Sequence, residues 1–157
     1  MVNAFSIAGG HIYVTTAFLR HFDTDGELAM TLGHEMAHIE LKHAVHKVQY
    51  EYHSEKVVGK VAKIGQVVYG VLTLPYGKDQ EYEADASGFD TCRKAGWSSD
   101  SLLVLFENYE KFERDHDPEH AVESGDPADL EHRLGNYFSS HPPTDERLAR
   151  LKKKAAN

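Results

Sequence analysis

At 157 residues, with 41% hydrophobic and 27% charged side chains, the chain has the size and composition of one globular domain with its own core. A formal net charge of -8 excludes a nucleic-acid surface, because scattered lysines make no basic patch; Lys152 to Lys154 instead suit the C-terminal end of a helix dipole. Cys92 alone leaves no internal disulfide. The longest uncharged run, residues 64–77, is too short to span a bilayer, so no transmembrane segment is expected. No signal peptide is legible, since Gly9, Gly10 and His11 interrupt any apolar run near the start. Met1 nevertheless opens almost directly into strand-like sequence, which suits a segment whose native leader is missing.

Residues 2–20 read as extended, with Ile12, Tyr13, Val14, Thr15 and Thr16 after a Gly9-Gly10 turn. Thr24 and Glu27 then form a capping box, and Leu28, Leu32, Met36 and Ile39 recur at helical spacing. The same segment, Asp23 to Gly26, fails as a calcium loop, because Leu32 stands where the closing Glu belongs. This helix is expected to reach about His46. Residues 57–74 read as a helix or a helix and turn, weakened by glycines and stopped at Pro75-Tyr76-Gly77. A helix over Asp79 to Lys94 is stopped by Gly96. Ser98 caps the next, which buries Leu102, Leu103, Phe106 and Tyr109, and Cys92 reads as a core residue. Residues 113–140, acidic and turn-rich, read as a surface loop, and a last helix follows Pro142-Pro143.

Eleven histidines are more than a solvated surface needs, and the spacing of two carries chemistry. In Gly33-His34-Glu35-Met36-Ala37-His38 the histidines lie one helical turn apart on one face, so both imidazoles can reach one cation. Zinc suits imidazole nitrogen and tolerates an open position. Glu35 is offset by about 100° around the helix, which places its carboxylate beside a metal-held water as a general base and not on the metal. The pentapeptide alone would arise in roughly one shuffled copy in fifteen, so its weight comes from the capped helix and the apolar opposite face. A structural zinc site in a non-catalytic binding protein is the competing reading, but such a site has no use for Glu35.

A third protein ligand is required. A histidine six residues after His38 is excluded, since that position is Ala44; His43 is one short and points away from the His34 side. Two pairs have the form Glu-three-residues-Asp. Glu81 and Asp85 sit among Ala84, Ala86 and Gly88, which suit tight helix packing, whereas Glu113 and Asp117 lie in a charged stretch. Glu81 is the expected ligand, one zinc per chain, with Asp85 accepting a hydrogen bond from a ligand histidine. Glu83 reads as a surface charge. His116 and His120 are also four apart, but Pro118 breaks any helix holding both.

With these pieces in place the chain resembles the zinc peptidase family that includes CAAX prenyl protease type 1, the HtpX membrane proteases and the BepA-like periplasmic peptidases. The resemblance runs through Asn3-Ala4-Phe5, Gly9-Gly10, Glu27-Leu28-Ala29, residues 33–43, Glu81 to Asp85 and His141 to Arg147, in the family's order. It implies an α+β, mostly helical fold of the gluzincin type, a single catalytic domain over residues 1–157 with a small N-terminal sheet on the His34–His38 helix. It also implies zinc ligands His34, His38 and Glu81, Glu35 as base, and endopeptidase action on unfolded or membrane-associated polypeptide, as in protein quality control. The His141 loop is expected at the metal, either donating to the developing oxyanion or occupying the open coordination position. Arg147 is expected as a second donor or as an anchor. Residues 7–15 are expected to form a strand that borders the cleft and pairs with extended substrate. The expected compartment is the cell envelope or periplasm if a native leader is missing from this chain, and the cytoplasm otherwise.

Overall fold

The computed structural model describes residues 3–7, 9–46, 49, 76–115, 141 and 144–156. The expectations for residues 57–74, for Asp117, His116 and His120, and for Pro142-Pro143 lie outside these. Two strands, β1 (Ala4–Ile7) and β2 (His11–Val14), pair antiparallel in the register Ala4 to Val14 and Ile7 to His11. Gly9 and Gly10, at φ 114° and 87°, make the turn, a backbone region that L side chains rarely adopt. The extended segment ends sooner than residues 15 and 16 suggest. Thr15 caps a short helix, α1 (Thr16–Leu19), its hydroxyl accepting from the Phe18 amide at 3.2 Å, so capping overrides β-propensity here.

Helix α2 (Asp25–Glu40) starts at the expected capping box. Glu27 is buried because its carboxylate is fully employed: Oε2 accepts from the Asp23 and Thr24 amides, and Oε1 from Asn108 at 2.7 Å. Two more helices, α3 (Lys78–Lys94) and α4 (Ser99–Asp115), are joined by a turn in which Gly96 has φ 99°. Helix α4 carries residues 113–115 into what the composition suggested was loop. The last helix is α5 (Thr144–Ala155), whose terminal lysines reach back to other helices through Lys152–Glu107 and Lys154–Asp90 ion pairs. The core gathers Phe18, Met30, Phe89, Leu102, Leu105, Phe106, Leu148 and Leu151, with Cys92 at its margin, as expected.

Helix α2 is central: it meets β1, α3 and α4. Its crossing with α3 is unusually close because both helices present glycine there. A Cβ on Gly88 would lie 2.6 Å from the Gly33 carbonyl carbon, and one on Gly33 would lie 2.9 Å from the Gly88 carbonyl oxygen. The small residues noted near Glu81 therefore do what small residues do, letting backbones touch. The buried face of α2 runs through Met30, Thr31, His34, Glu35 and His38, while Met36 on the opposite side is 50% exposed. The apolar stripe that announced the helix thus faces outward, toward a groove lined by Leu28, Leu32, Met36 and Trp97. The polar functional face is the one buried.

A second departure is at the C-terminal end of α2. The helix stops at Glu40, and Lys42 takes a left-handed conformation, φ 59°, before residues 43–46 become helical again. A continuous helix to His46 would carry His43 to the far side; the break folds it back.

Candidate metal centre

The glycine contact between α2 and α3 sets His34 and His38 directly over Glu81. His34 Nε2 and His38 Nε2 stand 3.0 Å apart, and each lies 3.5 Å from a different Glu81 oxygen. Four buried residues, His34, His38, Glu81 and His141, each offer a ligand atom within 4.8 Å of the others. Two nitrogens bound tetrahedrally at about 2.0–2.1 Å from zinc would be roughly 3.3–3.4 Å apart, so this spacing fits the donor set of a zinc site. His141 Nδ1 donates to Glu81 Oε2 at 2.9 Å.

Around this cluster a buried polar network orients the rings. Asp85 Oδ1 accepts from His34 Nδ1 at 2.8 Å, which leaves the His34 Nε2 lone pair pointing at Glu81. Arg147 holds Asp85 in turn by a two-pronged pair, Nε to Oδ2 at 2.7 Å and an NH2 nitrogen to Oδ1 at 2.8 Å. Its guanidinium also lies 5.2 Å from the Phe106 ring centre. On the other flank Tyr76 stacks on the His38 ring, centroids 3.9 Å apart.

The electrostatics follow from burial among these partners. Burial lowers the His34 pKa despite Asp85, and lowers His38 to about 4 despite Glu81, so both rings are neutral near pH 7 with lone pairs to give. Burial alone would raise the Glu81 carboxyl, but His141, His38 and His34 together hold it well below the usual range. Burial is likewise outweighed at Asp85, where Arg147 and then His34 bring the carboxyl to about 2. The Tyr76 hydroxyl is pushed up to about 12 by burial and by the negative charge of Glu35.

Glu35 differs from its neighbours. Its side chain is fully buried, and among the described residues neither carboxylate oxygen has a hydrogen-bond partner. His141 Nε2 lies 3.8 Å from Oε1, beyond hydrogen-bond distance. An unpartnered buried carboxylate is costly and rare.

Every residue selected from the sequence for this chemistry is therefore in one place: His34, Glu35, His38, Glu81, Asp85, His141 and Arg147. Two further residues were missed. His43 does not point away; its Nδ1 lies 2.9 Å from His38 Nδ1. Glu83, which read as a plain surface charge, is exposed but has Oε2 3.3 Å from His43 Nε2. Burial lowers the His43 pKa in spite of that carboxylate. The spacing of His43 from His38 was visible in the chain, but nothing in it announced a left-handed Lys42.

Comparison with known proteins sets this chain among metalloproteases. Metalloprotease YcaL and metalloprotease LoiP of Escherichia coli (strain K12) are 26% and 28% identical over 99% and 96% of this chain, which covers 59% and 58% of their lengths. The mitochondrial metalloendopeptidase OMA1 of Arabidopsis thaliana is 27% identical over 94% of the chain, which covers 28% of that protein. The chain spans less than two thirds of each of these relatives. The model of peptidase family M48 matches residues 1–155, and the chain belongs to that family of metalloproteases.

Proposed function

We propose that this chain is the catalytic part of a zinc metalloendopeptidase. The observation that carries the reading is Glu35, a buried carboxylate with both oxygens unpartnered among the described residues, beside four convergent metal-ligating side chains. His34 Nε2, His38 Nε2 and Glu81 would hold the zinc. When bound, it supplies a Lewis acid that makes water a nucleophile at neutral pH and polarises the scissile carbonyl. Glu35 takes the proton from the attacking water and delivers it to the leaving amine nitrogen, a role that needs a carboxylate free of other partners. Asp85 and Arg147 keep His34 in the tautomer that binds metal. Arg147 acts here through Asp85, as an anchor and not as a donor to substrate. His141 sits among the candidate ligands, which suits occupying the open position, while its Nδ1–H, donating to Glu81, suits hydrogen-bond donation to a developing oxyanion.

The substrate is an extended polypeptide lying along the β1–β2 hairpin, whose strand β1 packs on α2 beside the site. Unfolded or misfolded protein suits that mode, since its backbone is free to pair while most of a folded chain's is already hydrogen-bonded, and this favours a quality-control role. A cell-envelope or periplasmic setting belongs to this reading, and one Escherichia coli relative, 23% identical over 68% of the chain, is named beta-barrel assembly-enhancing protease. Among the described residues no helix is long and apolar enough to cross a membrane.

Glu35→Gln tests the reading. It should abolish cleavage of casein while zinc stays near one per chain, measured by metal analysis beside a turnover assay. Loss of zinc in this variant would make Glu35 a ligand and overturn the assignment.

A further inference from the structure

His34 and His38 have equivalent tasks in the proposed site, yet their outer nitrogens face unlike partners. His34 Nδ1 meets a carboxylate, which can only accept, so its tautomer is fixed at once. His38 Nδ1 meets another ring nitrogen, His43 Nδ1, at 2.9 Å. Two imidazole nitrogens make a hydrogen bond only if one carries the proton and the other is bare, so this contact alone leaves the direction open. If His38 donates, its Nε2 is free to bind metal. If His43 donates, the His38 proton sits on Nε2, aimed at His34 Nε2 3.0 Å away, and the ring cannot ligate.

We propose that Glu83 and His43 are positioning residues that set the tautomer of His38 through a two-step hydrogen-bond relay. The inference rests on the zinc-site reading above. Glu83 Oε2, 3.3 Å from His43 Nε2, accepts and places the His43 proton on that nitrogen. His43 Nδ1 is then bare and accepts from His38 Nδ1, and His38 Nε2 presents its lone pair beside Glu81 Oε1 at 3.5 Å. The opposite arrangement sets the His43 Nε2 lone pair against a carboxylate oxygen, which is repulsive. One external charge thus decides both tautomers.

The backbone is shaped for this contact. Lys42 adopts φ 59°, which non-glycine residues enter at a cost of about 1 kcal/mol or more, and that turn is what returns His43 to His38. His43 is 3% exposed and stands beyond the His38 ring from the ligand cluster. Glu83 sits on α3 two residues from both Glu81 and Asp85, so one helix supplies a metal ligand and the terminal acceptors for both histidines.

The test uses the full zinc-loaded chain. Two-bond proton–nitrogen correlation spectra of the labelled protein should show His43 protonated on Nε2 and His38 on Nδ1. A His43 proton on Nδ1 would overturn the relay directly. Zinc affinity, read by competition with a chromophoric chelator, supplies a second arm. His43→Phe should weaken binding about 10- to 100-fold, and His43→Asn, whose amide oxygen can take the place of Nδ1, should restore most of it. Glu83→Lys, at an exposed position, turns the terminal acceptor into a donor and should weaken zinc about 10-fold. Wild-type zinc affinity in both His43→Phe and Glu83→Lys would overturn the relay, provided that His34→Ala has lost its zinc. Should His34→Ala bind zinc as the wild type does, the metal-site reading falls and the relay with it. If His43→Phe does not fold, the wild-type spectra and Glu83→Lys decide.

Discussion

The α2–α3 crossing makes a specific prediction for Gly88→Ala. The added Cβ would lie 2.6 Å from the Gly33 carbonyl carbon and 2.7 Å from both the Gly33 oxygen and the His34 amide nitrogen, all of them backbone atoms. No side chain can swing away, so the helices must part by roughly 0.8 Å to reach ordinary contact. Replacing an interior helical glycine by alanine is otherwise worth about 1 kcal/mol in favour of folding. Overpacking costs about 1–3 kcal/mol, and rigid backbone obstacles put this case at the upper end, for a net loss of about 1–2 kcal/mol. In a chain of this size that is a fall in Tm of roughly 2–8 °C. The larger effect is on the site, because His34 and Asp85 ride on opposite sides of the crossing. Their 2.8 Å hydrogen bond would open to about 3.6 Å, where it no longer counts as one. Zinc affinity should fall about 10-fold or more, and a shift approaching 1 Å at a catalytic site can cost about 100-fold in turnover. Thermal unfolding, chelator competition and a casein assay measure the three effects. Gly77→Ala is the control, since its Cβ would meet only the Gln80 side chain at 3.8 Å. A Gly88→Ala protein with wild-type Tm and wild-type zinc affinity would refute the argument that glycine contact sets the site.

Three further outcomes follow from the same geometry. Glu81→Ala should empty the site or bind zinc far more weakly, whereas Glu113→Ala should keep it, as metal analysis would show; the reverse pattern would move the third ligand. Asp85→Ala should weaken zinc about 10- to 100-fold by releasing His34. It should also destabilise the fold, by up to about 3 kcal/mol, because buried Arg147 loses its two-pronged partner and keeps the longer 3.5 Å pair with Glu81, and denaturant unfolding reads that cost. His141→Ala should raise casein turnover if His141 occupies the open position and lower it, with zinc retained, if it donates to the oxyanion. Unchanged turnover with unchanged zinc affinity would exclude both roles.

The histidine pair with its intervening glutamate was legible in the chain because its geometry is local. Four residues of α-helix place His34 above His38 whatever surrounds them, and Thr24 with Glu27 fixes where that helix starts. Glu81 was distinguishable from Glu113 for a related reason: small neighbours announce a close helix contact, and Gly33 against Gly88 is that contact. Tertiary structure decided which side of α2 is inside. Periodicity marks a stripe but not its direction, and here the polar face is buried because α3 and α5 supply Glu81, Asp85 and Arg147 to satisfy it. The left-handed Lys42 was equally out of reach, since lysine favours continuing a helix and only the partners around His43 offset the cost of the turn. The contact between Glu83 and His43 spans 40 residues, and the one between Arg147 and Asp85 spans 62. Such pairs leave no periodic trace in the chain, because they exist only once separate helices have docked.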